Sequence, residues 1–286
     1  MSKHTAIVVG GGAMGVGIAH ALASAEYEVE VVEPNSQRRD ALWPVIEGVL
    51  ASGLERGVLT AADREAVLGR ITLVPSLNET TQGVAVLVEA VPESLPLKQS
   101  VLREAQSRGP ALLATNTSSM SIDSLAQGLN DPSALIGMHF FNPVWASRLI
   151  EIVVGERTAP ETVVATERLA LALGKEAIVV RDRPGFATSR LGVLLGLEAI
   201  RMVEEGVASP EAIDRAMELG YRHPMGPLRL TDLVGLDVRL AIAENLALTY
   251  GDRFEPPRLM RDMVNQGLLG RKSGRGFYEW AEGLAG

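Results

Sequence analysis

Residues 7–15 read Ile7-Val8-Val9-Gly10-Gly11-Gly12-Ala13-Met14-Gly15, an apolar β-type run that empties into Gly-x-Gly-x-x-Gly, and small helix-forming residues follow from Ile18 to Ala25. Strand, glycines and helix in that order make a phosphate cradle. Gly10 permits the tight turn, Gly12 the close approach of a pyrophosphate, and Gly15 the packing of helix on strand. Ala13 and Met14 open the helix whose N–H groups face the anion, so they count with the cofactor-binding residues. A second apolar strand, Tyr27 to Val32, ends on Glu33, close to the ~20-residue distance at which an acidic side chain takes the ribose diol. A carboxylate there repels a 2′-phosphate and favours NAD. Arg38 and Arg39, just behind it, are the feature that favours NADP. A glycine-rich turn that holds no nucleotide is the bland alternative.

Residues 5–25 carry no formal charge apart from His20, and with Lys3 before them and Ala21-Leu22-Ala23 near the end they resemble a signal peptide or short span. Repeated glycines interrupt that run, and cleavage would remove the first strand of a βαβ unit. It is read as fold, and the protein as cytoplasmic. At 286 residues, 47% hydrophobic and 22% charged, the chain suits a soluble enzyme of one or two domains. A net charge of −8 without a basic stripe argues against nucleic acid as partner, and no later segment is long and apolar enough for a membrane. Zero cysteines and four histidines exclude thiolate catalysis and disulfides and leave no metal site to expect.

Outward from the glycine loop, apolar strands alternate with amphipathic helices. After a long helical hairpin (Gln37 to Leu54, then a helix from Thr60 to Gly69), strands are expected at 71–73, 84–88, 111–114, 134–138, 149–153 and 177–180. From Pro184 only helices are expected: Phe186 to Glu205, Pro210 to Gly220 with Ser209 as N-cap, Asp237 to Tyr250, and Pro257 to Gln266. The fold class is therefore α/β, a Rossmann-type doubly wound sheet over residues 1–183 followed by an all-α C-terminal domain over residues 184–286. The helix from Phe186 is apolar nearly all round, which requires burial. So small a domain gives it little cover, and a homodimer is expected.

Ligands in such sheets bind beyond the carboxyl ends of the strands, and His139 closes one of them beside Asn142-Pro143. His4 is in the tail, His20 on the glycine-loop helix, and His223 in the 221–227 loop is the only rival. Glu151 points to the face opposite Ile150 and Ile152, and a hairpin-like return would bring it beside His139. A carboxylate on one ring nitrogen fixes the tautomer and leaves the other to remove a hydroxyl proton. The same pair can equally be a buried histidine satisfied by a buried glutamate. Asn116 and Ser118, at the end of a neighbouring strand, add polar groups where an alcohol and a nicotinamide could meet, although such a Thr-Ser-Ser turn also serves as a helix cap.

With these residues in place, the chain resembles the L-3-hydroxyacyl-CoA dehydrogenases over nearly its whole length. The motifs that carry this are residues 10–15, Glu89-Ala90-Val91-Pro92-Glu93, Asn116-Thr117-Ser118-Ser119, His139-Phe140-Phe141-Asn142-Pro143, Pro184-Gly185-Phe186, Pro224-Met225-Gly226-Pro227, 232–237 and 270–278. The resemblance implies His139 as base and Glu151 as its orienting partner. It implies that Ser118 binds the substrate hydroxyl, and that Glu93, Lys98, Asn142 and Lys272 bind the nicotinamide half of NAD, with Asn142 also near the substrate. Taken alone, Glu93 and Lys98 read as a solvated helix start and Lys272 as an exposed loop. Where the family carries Asn before the Arg that follows Pro-Gly-Phe, this chain has Ser189, and that substrate-side contact is altered. Arg56 is a candidate for a CoA phosphate, or simply a helix-end arginine.

The implied activity is NAD-dependent oxidation of L-3-hydroxyacyl-CoA thioesters. L-gulonate and carnitine dehydrogenases look similar and act on 3-hydroxy acids without CoA, while the 226–237 and 270–278 motifs favour the acyl-CoA branch. β-Hydroxyacid dehydrogenases with a catalytic lysine fit poorly, since no lysine lies between Lys175 and Lys272. A non-catalytic NAD-binding protein is the reading from another class.

Overall fold

The computed structural model describes residues 4–55 and 60–280, and the chain divides into two units, Met1–Arg183 and Pro184–Gly286. The first is built on one eight-stranded sheet in the order β3-β2-β1-β4-β5-β6-β7-β8. Its strands are β1 (Thr5–Val9), β2 (Glu28–Val32), β3 (Ile71–Val74), β4 (Val86–Glu89), β5 (Leu113–Thr115), β6 (Leu135–Phe140), β7 (Leu149–Val154) and β8 (Glu176–Arg181). Ala6, Ile7, Val8, Leu87, Ala114 and Ile136 are wholly buried, as expected where helices cover both faces of a parallel sheet. The parallel run extends only through β6. Residues 141–148 are too few for a helical crossover, so β7 returns antiparallel and β8 pairs parallel to it.

The helices of this unit are α1 (Ala13–Ser24), α2 (Ser36–Asp40), α3 (Leu42–Glu55), α4 (Ala61–Gly69), α5 (Leu95–Gln106), α6 (Ile122–Leu125) and α7 (Pro160–Ala172). Gly10 takes φ +116°, and a Cβ there would stand 2.6 Å from the Ala90 carbonyl oxygen; one on Gly15 would overlap the Gly10 oxygen. The glycine spacing is thus imposed by turn and helix packing. The single helix expected from Gln37 to Leu54 is broken at Ala41. Pro44 has no N–H to continue the ladder and is tolerated only in a first turn, so a new helix starts at Leu42. At the other side of the hairpin, Thr60 and Asp63 form a reciprocal capping box.

The second unit contains α8 (Thr188–Glu204), α9 (Pro210–Tyr221), α10 (Pro227–Val234), α11 (Leu236–Tyr250) and α12 (Arg258–Asn265). Within its own unit α8 is covered on one face only. Val193, Gly196, Leu197, Ala199 and Ile200 face the unit's own core, whereas Leu191 and Leu195, one turn apart, are 62% and 43% exposed. Helix α10 has no counterpart among the expected elements. Its first N–H groups are capped from another helix, since Asp214 on α9 accepts from Leu228 N and Arg229 N, both at 2.8 Å. Asp232 on α10 is fully buried and accepts from Phe277 N, Tyr278 N and Trp280 Nε1, each at 2.9 Å. A Cβ on Gly276 would collide with that carboxylate, which accounts for a glycine in the closing motif.

Candidate active site

Strand β6 runs on to Phe140, past the expected end at Met138, so His139 sits within the ladder and directly opposite Glu151 of β7. Its Nδ1 lies 2.7 Å from Glu151 Oε2. Glu151 has no exposed surface, and His139 has 7%. The Phe141 ring stands 4.4 Å from the imidazole. A carboxylate at hydrogen-bond distance from Nδ1 orients the ring so that this nitrogen carries its proton toward Glu151 and Nε2 is left to face outward from the pair.

His139 borders a cavity of about 800 Å³ that runs from Glu33, past Gly10, Gly12, Ala13 and Met14, to Glu93, Asn116 and Ser118. Nothing lies within 4 Å of the direction in which a Gly12 Cβ would point. The turn therefore leaves room for close backbone approach at the opening of α1, where helix N–H groups favour an anion. At the far end Glu33 is 9% exposed, with Oε1 accepting from Asn35 N at 3.1 Å. Arg39 is turned onto the Glu33 carbonyl oxygen, while Arg38 is exposed on the cavity wall. These residues fit an extended dinucleotide with an acidic group at one end and the His139 pair at the other.

Between the ends, Glu93 gathers the β5 turn. Its Oε1 accepts from Thr117 Oγ1 at 2.5 Å and Ser118 N at 3.1 Å, and Ser118 Oγ lies 3.5 Å away. Asn116 Oδ1 accepts from Phe140 N at 2.9 Å and so ties this turn to the strand of His139. The picture of Lys98 as part of a solvated helix start is overturned. Lys98 is fully buried and its ammonium bridges Glu89 at 2.8 Å and Glu93 at 3.2 Å. Glu89, given no role from sequence, is the hidden anchor of this group.

The remaining candidates fall elsewhere. Asn142 is exposed on the loop after β6, preceding a cis peptide to Pro143 and outside the cavity wall. Ser189 is half-buried in the first turn of α8, and the exposed Lys272 forms an ion pair with Asp237 of α11. Arg56 lies outside the described residues. Of the other histidines, His4 is exposed and His223 sits in a loop of the second unit. His20 is buried with neither ring nitrogen partnered among the described residues. Burial, aided by the Lys175 ammonium, pushes its pKa down to about 4. It borders a separate, smaller cavity. Among the described residues no group of His, Asp and Glu could hold a metal ion, and no helix is long and apolar enough to cross a membrane.

Comparison with known proteins shows the family of the chain. Residues 5–183 match the family described as 3-hydroxyacyl-CoA dehydrogenase, NAD binding domain, and residues 185–280 the corresponding C-terminal domain. A probable 3-hydroxybutyryl-CoA dehydrogenase of Deinococcus radiodurans is 42% identical over 276 residues, covering 96% of this chain and 99% of the relative. One of Bacillus subtilis is 40% identical over 279 residues, covering 96% and 97%. Among solved structures, an (S)-3-hydroxybutyryl-CoA dehydrogenase from Ralstonia eutropha superposes with a TM-score of 0.92 at 38% identity, covering 98% of this chain and all of that one.

Proposed function

This chain belongs to the 3-hydroxyacyl-CoA dehydrogenase family and is an NAD-dependent enzyme of that class; on that footing we propose that it interconverts short-chain L-3-hydroxyacyl-CoA, 3-hydroxybutyryl-CoA foremost, and the 3-oxoacyl thioester, with His139 moving the proton. The observation that carries this reading is the in-register His139–Glu151 pair on the wall of a dinucleotide-shaped cavity.

NAD supplies the acceptor for the hydride that leaves C3. Glu151 takes the Nδ1–H of His139, so Nε2 is the basic nitrogen that accepts the proton of the 3-hydroxyl. The positive charge that then grows on the ring sits beside a fixed, fully buried carboxylate and needs no solvent reorganisation. In the reverse direction the same imidazolium returns the proton. Ser118 donates to the substrate oxygen, its backbone N–H held by Glu93. Gly10 to Gly15 receive the pyrophosphate, Glu33 the adenosine ribose diol, and Glu93 the nicotinamide half, with Lys98 serving that half through its ion pair to Glu93. Asn142, Lys272 and Ser189 are assigned to the cofactor and substrate, and Arg56 to the CoA moiety, on the family resemblance. For assembly we infer a homodimer. Leu191 and Leu195 of α8, with Leu219 at 66% and Leu248 at 87% exposure, are the open apolar side chains of the helical unit that a partner surface would cover. Light scattering at micromolar concentration should return twice the chain mass, and a monomer mass contradicts it.

Steady-state NADH consumption with acetoacetyl-CoA, set beside free acetoacetate, tests the activity. Turnover is expected with the thioester and little with the free acid. The reverse order would favour a CoA-free 3-hydroxy acid, and no turnover with either would favour a non-catalytic NAD binder.

A further inference from the structure

Glu89, Lys98 and Glu93 form one connected cluster behind the cavity wall. Glu89 closes β4 without exposed surface. Its carboxylate is filled by Val91 N at 2.7 Å, Thr115 Oγ1 at 2.6 Å and the Lys98 ammonium at 2.8 and 3.1 Å. That ammonium, also buried, reaches Glu93 Oε2, and Glu93 alone of the three lines the cavity. Among the described residues, Lys98 is the only cation that pairs with either carboxylate. Two carboxylates share one ammonium, so a negative charge remains in excess where screening is weak.

Where that charge sits determines its effect. The proton and the hydride leave the same carbon–oxygen pair of the substrate, so the nicotinamide must lie at the His139–Ser118 end of the cavity. Glu93 belongs to that end through its bonds to Thr117 and Ser118. The oxidised and reduced cofactors differ there by a positive charge on the ring.

We propose that the Glu89–Lys98–Glu93 cluster sets the redox preference of the cofactor site, its excess negative charge favouring NAD⁺ over NADH, with Glu89 as the positioning residue that holds the ammonium between the two carboxylates. This rests on the dehydrogenase reading of the site. Glu89 acts at a distance through charge and through the placement of Lys98 and Glu93, so its removal changes the balance between two ligands of nearly identical shape. A defect of packing alone weakens both alike.

The experiment is a pair of titrations on the full chain, NADH by its fluorescence and NAD⁺ by competition, for wild type, Glu89→Gln and Glu93→Gln. In Glu89→Gln the affinity for NAD⁺ should fall about tenfold while that for NADH changes by less than about twofold, the size expected for losing one poorly screened charge nearby. Glu93→Gln alters a partly exposed side chain and leaves the buried anchor in place. It should shift the ratio the same way and decides the matter if Glu89→Gln does not fold. An unchanged NAD⁺/NADH ratio in Glu93→Gln, or in a folded Glu89→Gln, overturns the proposal while leaving the enzyme assignment intact. A wild-type protein that binds neither nucleotide and does not reduce acetoacetyl-CoA overturns the dehydrogenase reading itself.

Discussion

Carboxylates do different work in the two units. In the first, Glu151, Glu89 and Glu93 hold other side chains: an imidazole, an ammonium and two hydroxyls. In the second, Asp214 and Asp232 mainly hold backbone N–H groups. A carboxylate that orients a titratable partner on a cavity wall prepares chemistry. One that satisfies backbone donors between helices replaces a missing cap and fixes a chain path. The motifs of both units look equally specific in the sequence; within the first, Glu93, Asn116, Ser118 and His139 line one cavity, and within the second, Asp214 and Asp232 tie separate stretches of backbone together.

That contrast can be broken from either side. Asp232→Ala orphans two backbone N–H groups and the Trp280 indole N–H, all served by this one fully buried carboxylate. It should cost about 3 kcal/mol or more in denaturant unfolding, while whatever protein stays folded keeps the wild-type pH–rate profile. A loss under about 1 kcal/mol, or an altered profile, would move Asp232 into the functional class.

His20 sharpens the contrast within the first unit, because it is a buried histidine that no carboxylate serves. Folded, it titrates at about 4 against 6.5 for the free side chain, so between those values the unfolded chain binds the extra proton. Stability is then complete above pH 6.5 and falls as the pH drops toward 4, by up to about 3 kcal/mol from this one group. Chemical denaturation at pH 7 and pH 4.5 should show a smaller acid loss in His20→Leu than in wild type. Equal losses would show that His20 is not buried neutral.

Smaller shifts are expected at the ligands. NADH should bind about tenfold more tightly than NADPH, one charge repulsion at Glu33 being sufficient for that, and equal affinities by fluorescence titration would direct attention to Arg38. Ser189→Ala should lower kcat/KM by roughly tenfold or less, the scale of one neutral hydrogen bond, and Ser189→Asn should stay active. A thousandfold loss in Ser189→Ala would make the serine an essential group in its own right.

The parts of this architecture that were legible in the sequence are those with a local signature. Strand–glycine–helix order and the carboxylate after β2 announce the cradle, and a histidine at a strand end with a glutamate one hairpin away announces the His139–Glu151 contact. The Lys98–Glu89 bridge had no such signature. It joins the first turn of a helix that begins Ser94-Leu95-Pro96, a pattern that reads as solvated, to the last residue of a strand. Asp232 meets its partners across 45 positions or more, and no periodicity marks that contact. Helix α10 lacks a local signature for the same reason, its N-terminal cap being an aspartate from another helix. Leu191 and Leu195 show the limit of composition. An apolar count cannot say which face of α8 its own unit covers.

In the proposed reaction His139, oriented by Glu151, moves the proton and does not hold the fold or the cofactor. Acetoacetyl-CoA reduction by His139→Gln, measured beside NADH affinity for the same preparation, tests it most directly. Turnover should fall on the order of 10²–10⁴-fold, the usual range for general acid–base catalysis, with NADH affinity unchanged. Near-normal turnover in His139→Gln would contradict the assignment and make His223 the candidate base.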